Sequence, residues 1–76
     1  MNNNIEFPYH ELKLLHLDWF DLKGIRDILG LSHDANEWIK TAMQKLVAEK
    51  LVENVDENSW QWVSTKAKEE FASRYL

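Results

Sequence analysis

Polar side chains that can contact nucleic acid fall on one side of a predicted helix, residues 34–50. Ile39, Met43 and Leu46 lie on its inward side at helical spacing. At 100° per residue, the outward side of this helix carries Glu37, Lys40, Thr41, Gln44, Lys45 and Ala48. A lysine ammonium pairs with phosphate or guanine, a glutamine amide bonds a base edge, and a threonine hydroxyl does either. Any solvated helix carries such residues, so the pattern permits this contact without requiring it.

Further basic residues precede this helix. Lys23 and Arg26 fall on the shorter predicted helix at 22–29, where side chains could hold a nucleic-acid backbone. Equally, Arg26 could pair with Asp27, Asp18 or another acid, and Lys23 could be solvated. His33, in the connection between the two helices, is either a neighbour of a phosphate or a solvated loop residue.

The distribution of charge favours the middle of the chain as the face that an anion approaches. The 76 residues carry a formal net charge of −4. Residues 23–50 hold five basic and four acidic side chains, whereas residues 1–22 sum to −3 and residues 51–76 to −2. The net acidity therefore lies outside the segment with the outward lysines.

Other functional classes lack the residues that they need. Without cysteine there is no disulfide or thiolate metal site, and His10 and His16 lie about 600° apart on a helix, so no metal is expected. With only Gly24 and Gly30, and no nucleophile beside a base, we expect neither an enzyme nor a cofactor. The first ten residues lack a leader pattern and no apolar stretch approaches about 18 residues, so we expect a cytoplasmic protein that does not enter membranes.

Periodicity and end signals predict a single domain over 8–76, after a flexible N-terminus at 1–7. A first helix is expected over 8–19, and a second over 22–29, capped by Asp21 and ended by Gly30. Asp34 and Glu37 form a predicted capping box for the third. Strands at 51–55 and 60–64 flank a loop at 56–59, and Thr65 is the predicted N-cap of a last helix.

The predicted fold class is mainly α with a small β-hairpin, in the order α-α-α-β-β-α. This order resembles the winged helix-turn-helix family. "LKGIRDILGLS" looks like the first half of that motif, "MQKLVAEKLVE" like a recognition helix entering the wing, and "WVSTKAKEEF" like the exit of MarR-type and PadR-type regulators. The match covers roughly Leu12 to Phe71. It implies sequence-specific binding of double-stranded DNA by a small transcriptional regulator, with 34–50 as recognition helix. Because a single acidic domain neutralises few phosphates and should bind weakly, we also expect a homodimer.

A pair of tryptophans in the predicted second strand raises a question of orientation. Trp60 and Trp62 share one strand face, opposite Gln61 and Val63. Alignment with the family places Val63 inward, which would leave both tryptophans at least partly exposed as a partner or dimer surface. Packing of the pair against an N-terminal segment with Phe7 and Tyr9 is the alternative.

The remaining large apolar residues suggest core and dimer positions. Trp19 and Trp38 fall beside the apolar stripes of their predicted helices, which favours core packing. In the last helix, Phe71, Tyr75 and Leu76 are candidates for a dimer surface. They could instead belong to the core of the monomer.

The predicted wing tip favours a second hypothesis. Asp56 and Glu57 place acid where many family members hold a phosphate with a basic residue. An acidic wing, together with the Trp60 and Trp62 face, would suit an interaction module or inhibitor of phage or mobile-element type, which binds a basic protein.

Overall fold

The part of the chain that the structure describes contains three α-helices and a three-stranded antiparallel sheet, an α+β arrangement in which helices predominate. The computed structural model describes residues 7–12 and 14–76, so the predicted flexible segment 1–7 lies outside it except for Phe7, which is buried. The regular elements are β1 (Trp19–Asp21), α1 (Leu22–Leu29), α2 (Asn36–Ala48), β2 (Val52–Asp56), β3 (Ser59–Trp62) and α3 (Thr65–Tyr75). Single 3₁₀ turns cover Tyr9–Glu11, Leu14–His16 and His33–Ala35.

The predicted first helix, residues 8–19, is wrong, and the order α-α-α-β-β-α is therefore not observed. The described residues of this segment form two 3₁₀ turns and then enter β1. Tyr9, Leu12 and Leu15 are spaced by three, and a 3₁₀ turn aligns side chains at that spacing as well as an α-helix does. Tyr9 and Leu12 are buried and Leu15 packs against the core, so the apolar pattern is satisfied without an α-helix.

Both predicted ends of α1 are confirmed. The Asp21 carboxylate accepts a hydrogen bond from the Gly24 N–H at 2.8 Å, which satisfies one of the free donors at the helix start. Gly30 has a φ of 68°, the left-handed conformation that ends many helices at low cost for glycine. The Leu31 N–H then donates to the Arg26 carbonyl at 2.9 Å, and the chain turns toward α2.

Helix α2 starts later than predicted. Its inward residues are those expected, with Ile39, Met43 and Leu46 fully buried. The capping box predicted from Asp34 is wrong, because residues His33–Ala35 form a 3₁₀ turn and no side chain caps that turn or the helix. The helix ends at Ala48, and Lys50 has a φ of 64° in the turn that leads to β2.

The sheet has the order β1-β3-β2, with β3 in the centre. Phe20 of β1 pairs with Trp60, and Val52 of β2 pairs with Trp62. The hairpin turn is tighter than predicted: Asp56 pairs with Ser59, which leaves a two-residue turn at 57–58. The Asp56 carboxylate accepts from the Asn58 N–H at 2.8 Å and the Asn58 carbonyl accepts from the Leu22 N–H, so the turn is fixed to the start of α1.

Helix α3 packs against the inner face of the sheet and covers the core there. Its N-cap is Ser64, one residue before the predicted Thr65, and the Ser64 hydroxyl accepts from the Ala67 N–H at 3.1 Å. The Phe71 ring meets the Trp62 ring edge-to-face, with centroids 5.2 Å apart. The core therefore joins the sheet, α2 and α3 through a shared aromatic cluster.

Candidate functional site

The outward side of α2 is open to solvent. Thr41, Gln44 and Lys45 are exposed and Lys40 is half-buried, while the opposite side of the helix packs on the core. Among residues 7–12 and 14–76, neither lysine takes part in an ion pair. Glu37 is exposed on the same side and partly offsets their charge. The open side therefore presents two ammonium groups around a neutral hydroxyl and amide.

Two of the three residues predicted before α2 have partners within the fold. Arg26 is half-buried, and its Nη1 donates to Asn36 Oδ1 at 2.9 Å, which ties α1 to the start of α2. Lys23 lies 3.5 Å from Asp27 in an exposed pair one helical turn apart. His33 is exposed in the turn before α2. Of these three, Arg26 has a positioning contact that the sequence did not reveal.

Gln44 connects the open side of α2 to the hairpin. Its Nε2 donates to Asn54 Oδ1 at 3.2 Å, and Asn54 Nδ2 donates to the Asp56 carbonyl. The contact is exposed, so Gln44 can exchange it for another partner at little cost. It fixes β2 as the neighbour on one flank of α2.

On the other flank of α2 lies an aromatic cleft of about 400 Å³. Its lining residues come from the N-terminal segment, α2 and the end of α3: Phe7, Tyr9, His10, Trp38, Thr41, Ala42, Lys45, Arg74 and Tyr75. Thr41 and Lys45 therefore belong both to the open side and to this cleft. The sequence did not reveal the cleft, because its rings are spread over three separate segments.

Two tyrosine hydroxyl contacts, one buried and one partly buried, hold the walls of the cleft in place. Tyr9 donates to the Ala42 carbonyl at 2.9 Å, and Tyr75 donates to Glu49 Oε1 at 2.7 Å. Burial, and after it the charge of Glu49, raises the pKa of Tyr9 to about 12. Burial and the hydrogen bond to Glu49 likewise raise the pKa of Tyr75. Both phenols are neutral donors at physiological pH.

The cations of the cleft differ in their surroundings. Arg74 lies between two carboxylates, 3.4 Å from Glu49 and 3.1 Å from Glu70, so much of its charge is compensated. Lys45 Nζ lies 5.7 Å from the centroid of the Tyr75 ring, a cation–π distance. Among the residues that the structure describes, Lys45 is the cleft cation with no carboxylate partner.

The hairpin has the opposite charge. Glu53, Asp56 and Glu57 are exposed along β2 and its turn. The pKa of Asp56 is lowered, first by the Asn58 N–H and then by the Ser59 hydroxyl, so this carboxylate stays ionised at neutral pH. The acidic wing tip predicted from the sequence is thus exposed in the fold.

The predicted partner and dimer surfaces are mostly buried. The expected exposure of Trp60 and Trp62 is wrong, since they are 0% and 8% exposed and face the core through the alternation of β3. Phe71 is also a core residue, and Tyr75 is half-buried against Tyr9. Leu76, 62% exposed, is the one member of the set that remains at the surface.

The predicted core positions of the other two tryptophans are also wrong. Trp19 is 49% and Trp38 38% exposed. Trp19 lies in β1 opposite Gln61, where alternate side chains point away from the core. Trp38 contacts the Phe7 ring edge-to-face, with centroids 4.9 Å apart, at the rim of the cleft.

Within the described part of the chain, no three histidine or carboxylate side chains come together in a way that could hold a metal ion. No helix there has the length and apolar character needed to cross a membrane. No family model, curated protein or solved structure matches the chain. Function must therefore be inferred from the geometry and chemistry of the residues themselves.

Proposed function

We propose that the chain is a double-stranded DNA-binding module, a small transcriptional regulator that lays the open side of α2 in the major groove. The observation that carries the proposal is the row of Lys40, Thr41, Gln44 and Lys45 on the open side of one helix, with Lys40 half-buried, the other three exposed, and neither lysine paired among the described residues. Gln44 would bond a base edge, and the two lysines would contact phosphates or guanine.

The arrangement around α2 supports this proposal. α1, the turn at Gly30, α2 and the β2–β3 hairpin follow one another as in the winged helix-turn-helix family, with the hairpin as the wing. The Arg26–Asn36 hydrogen bond fixes the angle between the two helices, and a reading helix needs such rigidity to hold side chains in register.

The charge of the chain limits the affinity of a single module. Lys40 and Lys45 on α2, together with Lys23 on α1, supply about three phosphate contacts, and each contributes roughly 0.9 to the salt slope of the binding constant. The acidic hairpin repels the backbone and adds no contact. We therefore propose that two copies act together, with their α2 helices about one DNA turn apart, on a dimer surface that does not include Phe71.

Selection from a pool of random duplexes tests the proposal. The wild-type chain should enrich one motif at low salt. Gln44→Ala should relax the preference at one position, a loss of about tenfold against the wrong base, whereas Lys40→Ala should weaken all duplexes alike. Gln61→Ala is the matched control, because Gln61 is an exposed glutamine on the sheet and away from α2.

Absence of any enriched motif at low salt would exclude sequence-specific reading by this chain. Equal effects of Gln44→Ala and Gln61→Ala would exclude α2 as the reading helix, even if duplexes bind.

The exposed acidic hairpin favours a second candidate, binding of a basic protein. Glu53, Asp56 and Glu57 lie on β2, an outer strand, or its turn. Because Trp60 and Trp62 are buried, this surface would act through charge and not through paired aromatics. A triple change of the carboxylates to their amides should abolish capture of such a partner and leave duplex selection intact or improved.

A further inference from the structure

The aromatic cleft has a continuous wall of rings. Trp38 meets Phe7 at 4.9 Å between centroids, Phe7 meets Tyr9 at 5.0 Å, and Tyr9 meets Tyr75 at 4.5 Å. Trp38, which is 38% exposed, forms the most accessible ring of this wall. Phe7 and Tyr9 are buried, so Trp38 offers a planar group the main accessible ring surface of the cleft.

The wall is preorganised. The Tyr9 hydroxyl is held by Ala42 on α2, and the Tyr75 hydroxyl is held by Glu49 just after that helix. Tyr9 is therefore fixed to the helix that carries Lys45, and Tyr75 is fixed to the residue that follows this helix. A ligand would not have to order these side chains, which removes a common cost of binding.

Charge selects the kind of ligand. Lys45 reaches over the Tyr75 ring, and no described carboxylate forms an ion pair with it. An organic cation would be repelled, and an uncharged ring would leave Lys45 without a partner. Glu49 and Glu70 together outweigh the charge of Arg74, so the four charges around the cleft sum to zero and an anionic group is favoured only next to Lys45.

We propose that the cleft binds one unpaired nucleotide, with its base against the Trp38–Phe7 wall and its phosphate on Lys45. A volume of about 400 Å³ lies in the lower range of small-ligand sites. Aromatic rings on which a base can stack, beside a basic side chain, are the features by which proteins hold unpaired bases without sequence preference. The source is either a free mononucleotide or an unstacked residue of a single strand.

This site lies beside the proposed duplex contact but does not depend on it. Thr41 and Lys45 line the cleft and also face the open side of α2, whereas Trp38 lines the cleft and Gln44 contacts the hairpin. A change at Trp38 therefore tests the nucleotide site, and a change at Gln44 tests duplex reading. The two variants therefore distinguish failure of the nucleotide site from failure of duplex reading.

Fluorescence anisotropy with a labelled single strand of about eight nucleotides at low salt is the test. The wild-type chain should bind it, and Trp38→Ala and Lys45→Gln should each weaken binding by about tenfold. Trp19→Ala and Lys66→Gln are matched controls, an exposed tryptophan on β1 and an exposed lysine on α3. Gln44→Ala should leave single-strand binding unchanged.

Adenosine monophosphate as competitor distinguishes the two sources. Displacement of the strand at millimolar concentration would assign the site to a free nucleotide, and no displacement would assign it to a strand. Circular dichroism shows whether Trp38→Ala is folded. If it is unfolded, Lys45→Glu is used in its place, because Lys45 is exposed, and this variant should abolish binding. Absence of binding to both probes, or equal binding by the cleft variants and their controls, would overturn the proposal.

Discussion

The two faces of the three-stranded sheet differ more than their sequences suggest. The inner face carries Phe20, Trp60 and Trp62, all within the core. The outer face carries Trp19 and Gln61 in neighbouring positions, followed by Glu53, whose carboxylate accepts from Gln61 Nε2 at 2.6 Å. Both faces contain tryptophan, so residue type alone does not distinguish them. Strand alternation does.

The contrast between the two faces identifies the surface that can meet an anion. The outer face and its hairpin present carboxylates, while the inner face is closed by α2 and α3. The exposed lysines that have no ion pair within residues 7–12 and 14–76 include Lys45 on α2, beside the aromatic cleft. The sheet thus supports α2 and leaves recognition of a negative partner to the helix.

The two faces should differ most in how much a tryptophan contributes to the stability of the fold. Trp60→Ala empties the centre of the core and should lower the free energy of unfolding by about 3–5 kcal/mol, enough to unfold much of so small a domain. Trp19→Ala removes a half-exposed ring and should cost about 1 kcal/mol or less. Urea unfolding midpoints measure both, and Trp60→Phe provides a milder core variant. Equal losses at the two positions would mean that the faces are assigned the wrong way round.

Local signals in the sequence were sufficient for some parts of the fold. The ends of α1 follow from Asp21 and Gly30, whose side-chain chemistry and backbone freedom act within one turn. The inward side of α2 follows from its apolar spacing. The hairpin follows from two short runs that flank a polar turn, although its loop is two residues shorter than expected.

Long-range pairing decided what local signals could not. Residues 19–21 form a strand because β3 offers hydrogen bonds to them, and no pattern near Trp19 encodes that partner. The orientation of Trp60 was inferred from an alignment that placed Val63 inward, and a shift of one residue reverses every side chain of a strand. With the side chains of β3 facing the opposite way from the prediction, the expected partner surface is part of the core.

The candidate site divides in the same way. The open side of α2 could be predicted, because one helix sets the positions of Lys40 and Gln44. The aromatic cleft could not, because it requires the N-terminal segment and the end of α3 to meet beside Lys45. Four aromatic residues at helical spacing in one helix would have predicted a shared surface. Phe7, Tyr9, Trp38 and Tyr75 lie in three separate segments, so the sequence shows no such spacing.

Removal of a carboxylate from the outer face tests how strongly that face opposes duplex binding at α2. Glu53 precedes Asn54, the partner of Gln44, but its side chain points to the outer face of β2, so its charge acts on the proposed duplex contact only through space. Glu53→Gln should raise duplex affinity by about two- to fivefold at low salt, and the gain should vanish in high salt, where charges are screened within about 3 Å at 1 M. Glu69→Gln, an exposed change on α3, is the control for net charge. An equal gain from both variants would show that net charge, and not the position of Glu53, sets the affinity.

The smallest expected effect concerns Asp56 at the turn of the hairpin. Its pKa in the folded chain is lowered by the Asn58 N–H first and the Ser59 hydroxyl second. A lowered pKa means that the ionised form stabilises the fold above the ordinary aspartate pKa of about 3.9, and that this contribution is lost as pH falls through the folded value. Asp56→Asn should therefore be slightly less stable than wild type at neutral pH, and the difference should disappear in acid. Urea midpoints between neutral pH and about pH 2 measure it, with Glu57→Gln as the control for a neighbouring charge. A difference in stability that persists unchanged in acid would mean that the amide disturbs the turn itself, and that the charge of Asp56 does not stabilise the hairpin.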